Sequence, residues 1–135
     1  MTRIAVLVSG GGTNLQALID AQGRGELKNG VIAAVISSRA DAFALERAAR
    51  AGIPGYVVSR KDYGSNREMT AALVEQLRGL EIGLVVLAGF LHILTEEMVQ
   101  AYPNAILNVH PALIPSFCGK GFYGLHVHEA ALEYG

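Results

Sequence analysis

The chain has 135 residues, 51% of them hydrophobic, and a formal net charge of −1 from 11 basic and 12 acidic side chains. That is one ordinary domain, residues 1–135, with ample apolar material for a core, and its balanced charge without a block of one sign excludes a nucleic-acid footprint. The longest apolar run, 82–91, is far shorter than the roughly 18 residues of a membrane span, the run 4–8 is too brief for a signal peptide, and the lone Cys118 excludes an internal disulfide and fits a cytoplasmic setting.

In chain order, runs rich in Val and Ile at 4–8, 31–36, 56–58, 84–88 and 105–109 predict strands buried on both faces. Between them, 14–22, 42–51, 67–78 and 96–102 carry apolar residues at helical spacing, with Gly52 and Gly79 where helices should stop. The Gly-rich stretch 116–124 reads as a loop before a last helix that begins near His126. This alternation predicts an α/β fold: an open, mostly parallel, Rossmann-like sheet with helices on both faces. In such sheets ligands bind beyond the carboxyl ends of the strands, so chemistry is expected just after each strand.

The first such corner is Gly10-Gly11-Gly12-Thr13-Asn14. Glycines after a buried strand let backbone approach a ligand, and the helix that follows offers free N–H groups and a positive dipole end. With Thr13 as cap and hydroxyl donor and Asn14 as amide donor, Gly11, Gly12, Thr13 and Asn14 suit a phosphate without a lysine. The same run also serves as a plain tight turn. No Gly-Lys-Ser/Thr follows, which excludes a Walker loop, and Leu15 occupies the place of the third glycine of a dinucleotide fingerprint. Ser37-Ser38-Arg39 after the second strand keeps an NADP-binding reductase open as an alternative, with Arg39 reading a 2′-phosphate. A non-catalytic phosphate-binding domain is the other.

The second constellation is Asn108-Val109-His110-Pro111 at the end of the fifth strand. Strand alternation puts Asn108 and His110 on one face, and Pro111 ends the strand there. A carboxamide beside an imidazole can stabilise an oxyanion from two directions, and the imidazole can move a proton near neutral pH. Cys118, His126 and His128 form a poor metal set, with no convincing fourth ligand, and no metal is expected.

Together, "SGGGTNLQALI", "SSRADAFALERAARAGIP", "VVLAGFLHIL" and "LNVHPALIPSFCGKGFYG" resemble the phosphoribosylglycinamide formyltransferases, over residues 4–135. The resemblance implies transfer of a formyl group from 10-formyltetrahydrofolate, a co-substrate, to the amine of glycinamide ribonucleotide in purine biosynthesis. It assigns Gly12, Thr13 and Asn14 to the ribonucleotide phosphate and Asn108 and His110 to catalysis. It assigns Arg67, Leu91, His92, Ile93, Leu94 and Asn108 to the folate, with 91–94 supplying the wall and backbone donors of the pterin pocket. His92 stands where an arginine is often found.

By the same resemblance an aspartate well downstream of the His-Pro pair keeps the imidazole protonated. After His110 the only carboxylates here are Glu129 and Glu133. The chain thus reads as the front portion of such an enzyme, incomplete and expected to have little or no formyltransferase activity, and, with apolar sheet faces uncovered, able to form a homodimer. Related formyltransferases acting on initiator tRNA, and hydrolases of formyltetrahydrofolate, fit the glycine corner less well.

Overall fold

The computed structural model describes residues 2–27, 29–92 and 94–109. Five parallel strands, β1 (Thr2–Val8), β2 (Gly30–Ser37), β3 (Gly55–Val57), β4 (Leu84–Ala88) and β5 (Ile106–Val109), form one sheet in the order β3-β2-β1-β4-β5. The connections are α1 (Thr13–Gly23), α2 (Phe43–Arg50), α3 (Asn66–Gly79) and α4 (Glu96–Ala101). A short 3-10 turn at Arg60–Asp62 precedes α3.

Strand alternation sorts the core into two layers. Ile4, Val6 and Val8 of β1 face one side with Leu84 and Val86 of β4, where Leu15 of α1 and Ala44 and Ala48 of α2 cover them. Ala5 and Leu7 face the other side with Val85 and Ile106, beneath Met69, Leu73 and Leu77 of α3 and Met98 of α4. The expected α/β sheet with helices on both faces is what the chain forms. The N-terminus of α3 is capped by Ser65, whose Oγ accepts from the Glu68 N–H at 3.1 Å.

Three local expectations are corrected or refined. The β3 segment, read as 56–58 and buried, spans Gly55–Val57 at the edge of the described sheet, with Val57 44% exposed, because among the described residues it pairs with β2 alone. Gly79 is the last residue of α3, where the helix is expected to stop, but the left-handed exit is made two residues later by Glu81, at φ 59°. In β2, the pairing slips by one residue between Ile4↔Ile32 and Ala5↔Ala34, a bulge that the apolar run did not signal. The expected loop at 116–124 and the helix near His126 lie outside the described residues, as do Cys118 and His128.

Because β2 and β3 extend the sheet to one side of β1 while β4 and β5 extend it to the other, the chain reverses direction at β1. The crevice beyond the carboxyl ends of β1 and β4 is the place where open sheets of this kind hold ligands.

Candidate active site

The loop after β1 enters that crevice. Gly12 is the N-cap of α1, in the left-handed conformation at φ 80°, so the expectation that Thr13 caps the helix is corrected. Thr13 is instead the first helical residue, exposed, and Asn14 is half-buried behind it. The shift has a steric cause. A Cβ on Gly12 would lie 2.7 Å from Ala44 Cβ and 2.9 Å from Ala44 Cα, so glycine is required there by the approach of α2. Around Gly10 and Gly11 a Cβ would meet nothing within 4 Å, and the open side of the corner is theirs.

The loop after β4 comes to the same place through a contact that sequence reasoning missed. Ser9, only 2% exposed, accepts hydrogen bonds on its Oγ from the backbone N–H of Leu91 at 3.0 Å and from the Ser38 hydroxyl at 2.7 Å. One buried hydroxyl therefore ties the ends of β1, β2 and β4 together. A serine between the apolar run 4–8 and the glycine run was the only sequence signal of it. Ser9→Ala leaves two donors without their acceptor, and a loss of about 1–3 kcal/mol is expected, read as a lower urea midpoint at unchanged slope.

Leu91 itself is 82% exposed, so its side chain is available to a ligand, but its N–H is already given to Ser9. His92 is half-buried and packs edge-on against Phe90, ring centres 5.6 Å apart. Leu94 packs against the core layer under α3 and α4. Ile93 lies outside the described residues. The segment is held from its far end as well: the Thr95 N–H donates to Thr70 Oγ1 at 3.1 Å, and Thr70, fully buried in α3, donates to the Asn66 carbonyl at 2.7 Å.

Arg67, at the start of α3, is 60% exposed in its side chain and lies 3.6 Å from Glu96 while also donating to Glu97. Glu97 accepts from the Thr95 hydroxyl too, and that bond chiefly holds its carboxyl below the usual carboxylate range. A depressed value means the contribution is present above the unfolded-state value and is lost as pH falls through the folded one. Thr95→Val is expected to move the Glu97 titration, followed by NMR, back toward the ordinary range; an unmoved titration would show that the hydroxyl is not its cause.

Asn108 sits near the carboxyl end of β5, paired with Leu87 of β4 and half-buried. Among the described residues its carboxamide has no hydrogen-bond partner, which leaves its donors available. His110, expected on the same face, lies outside the described residues. Arg39, the candidate 2′-phosphate reader, is held in a two-point pair with Asp41 at 3.1 and 3.0 Å, so its charge is already matched. An open cavity of about 710 Å³ lies to the other side of the crevice, beyond β2 and β3, lined among others by Ser38, Arg39, Arg60 and Lys61. Among the described residues, His92 is the one predicted folate residue that lines it, and the glycine corner and Asn108 do not. Among the described residues no group of three or more His, Cys, Asp or Glu is placed to hold a metal ion, and no helix is long and apolar enough to cross a membrane.

Fold and site together define a class: an open parallel α/β domain with a glycine corner after β1 and a half-buried asparagine on β5 at the carboxyl ends of its strands. Residues 2–135 match the family described as Formyl transferase, and the chain belongs to that family. It is 44% identical over 135 residues to the phosphoribosylglycinamide formyltransferase of Haemophilus influenzae, covering 100% of this chain and 63% of that one. It is 42% identical over 132 residues to the Escherichia coli enzyme of the same name, covering 98% of this chain and 59% of that one. The crystal structure of glycinamide ribonucleotide transformylase 1 from Symbiobacterium toebii superposes with a TM-score of 0.80 at 45% identity, over 100% of this chain and 61% of that one. The chain thus spans less than two thirds of the length of these relatives.

Proposed function

We propose that this chain carries the phosphate corner and the catalytic strand end of a glycinamide ribonucleotide formyltransferase, which moves a formyl group from 10-formyltetrahydrofolate to the ribonucleotide amine in purine biosynthesis. The observation that carries the reading is the placement of an open Gly10–Gly11 corner and of Asn108, whose carboxamide has no partner among the described residues, at the same ends of one parallel sheet. The family and the named relatives support the choice of reaction. The pairing of Arg39 with Asp41 weighs against the NADP reading.

In this reading Gly12, Thr13 and Asn14 hold the substrate phosphate with backbone and side-chain donors at the start of α1. The neutral amine attacks the formyl carbon, negative charge grows on the formyl oxygen, and the folate nitrogen leaves with a proton. Asn108 donates to that oxygen, and His110 as an imidazolium stabilises the same charge and provides a proton for the leaving nitrogen. Leu91, His92, Ile93 and Leu94 border the folate, and Arg67 at the head of α3 contacts it. Both substrates are small molecules, and the setting is cytoplasmic, with no nucleic acid, membrane or metal required; self-association as a homodimer is part of the proposal.

Titration of the purified chain with glycinamide ribonucleotide, beside a formyl-transfer assay on the complete enzyme followed by folate absorbance, tests it. Saturable binding with transfer is the expected result. Binding without transfer would favour the non-catalytic phosphate-binding domain, and the absence of both overturns the reading.

A further inference from the structure

Two carbonyls of the glycine corner are turned away from the crevice and held by α2. The Gly10 carbonyl accepts from the Ala44 N–H at 3.2 Å, and the Gly11 carbonyl accepts from Arg47 Nε at 2.7 Å. In a planar trans peptide the N–H of the next residue points opposite to the carbonyl. Fixing these two carbonyls against α2 therefore aims the N–H groups of Gly11 and Gly12 to the open side, and among the described residues neither has a backbone acceptor.

Arg47 is itself immobilised from three directions. Its Nη1 donates to Gln16 Oε1 on α1 at 3.2 Å, and its guanidinium lies 4.9 Å from the centre of the Phe43 ring. Its Cδ packs against Gly12, 3.3 Å from where a Cβ would stand. Among the described residues no carboxylate lies within ion-pair distance of it, so its charge is unmatched beside a corner that would receive an anion.

We propose that Arg47 is a positioning residue for the phosphate corner: it touches no substrate, but its planar fork, spanning Gly11 and Gln16, holds the Gly11–Gly12 peptide with its N–H toward the phosphate. The proposal rests on the reading of this corner as a phosphate site, and its test does not depend on formyl transfer. Arginine suits the task because the fork supplies two donors in fixed geometry, whereas a lysine ammonium is a single point charge.

The probe is inorganic phosphate, titrated into the ¹⁵N-labelled full chain while the Gly11 and Gly12 amide resonances are followed. In the wild type both are expected to shift and saturate. Arg47→Met is expected to weaken the dissociation constant about tenfold, the size of one lost charge-assisted hydrogen bond. Arg47→Lys, which keeps charge but not the fork, is expected to recover only part of it. Should Arg47→Met not fold, Gln16→Ala, which removes one anchor of the fork, is expected to weaken binding about threefold. Equal phosphate affinity in wild type and Arg47→Met, full recovery by lysine, no effect of Gln16→Ala where that variant stands in, or wild-type Gly11 and Gly12 amides that ignore phosphate would each overturn the proposal. Failure of the formyltransferase reading would show separately, as phosphate binding at these amides with no formyl transfer by the complete wild-type enzyme.

Discussion

Asn108→Ala in the complete enzyme is expected to lower formyl-transfer turnover by on the order of 10²–10³, the usual effect of losing one donor to a developing oxyanion. The structural side of the substitution is small. Asn108 is held in place by the backbone pairing of β5 with Leu87 of β4, it is half-buried, and among the described residues no other polar group depends on its side chain. Stability should therefore change by less than about 1 kcal/mol, so that turnover and folding separate cleanly. His110→Ala should be at least as damaging, because proton transfer is lost along with charge stabilisation. Full turnover in a folded Asn108→Ala variant would remove Asn108 from the mechanism.

Gly12→Val is expected to act first on the fold. The residue sits at φ 80°, where a β-branched side chain is strained by about 1–2 kcal/mol, and its Cβ would fall 2.7 Å from Ala44 Cβ, an overpacking that adds roughly 1–3 kcal/mol. The total is a large share of the 5–15 kcal/mol typical of a domain, and a drop in the thermal midpoint of many degrees should accompany it. Gly11→Ala is the sharper probe of binding. Its φ is not in the left-handed region and its Cβ meets nothing within 4 Å, so stability should stay within about 0.5 kcal/mol while the Michaelis constant for the ribonucleotide rises. A wild-type midpoint for Gly12→Val would contradict the packing account; an unchanged Michaelis constant for Gly11→Ala would contradict the phosphate assignment.

The strand and helix sequence of this protein was legible because each element carries its own period. Fully apolar runs such as Ile4 to Val8 have no polar face to show water and so demand helices on both sides, which is the parallel α/β arrangement. The glycine corner was legible as a tight turn for a related reason: glycines between a buried strand and a helix allow the backbone to turn sharply. Its internal division was not. That Gly12 serves α2 while Gly10 and Gly11 face the open side depends on how closely Ala44 approaches, a distance set by the packing of two helices far apart in sequence. The same holds for Ser9, Ser38 and Leu91, which meet because β4 lies beside β1 after an excursion through β2 and β3, and for Arg47, whose charge looked like an ordinary helical one until α2 was laid against the corner. Local periodicity determined which elements form and where their polar ends fall. Which of those ends touch was decided by the strand order β3-β2-β1-β4-β5, because hydrogen bonds between residues 36 to 82 apart arise from the sheet as a whole and leave no mark in any short stretch of chain.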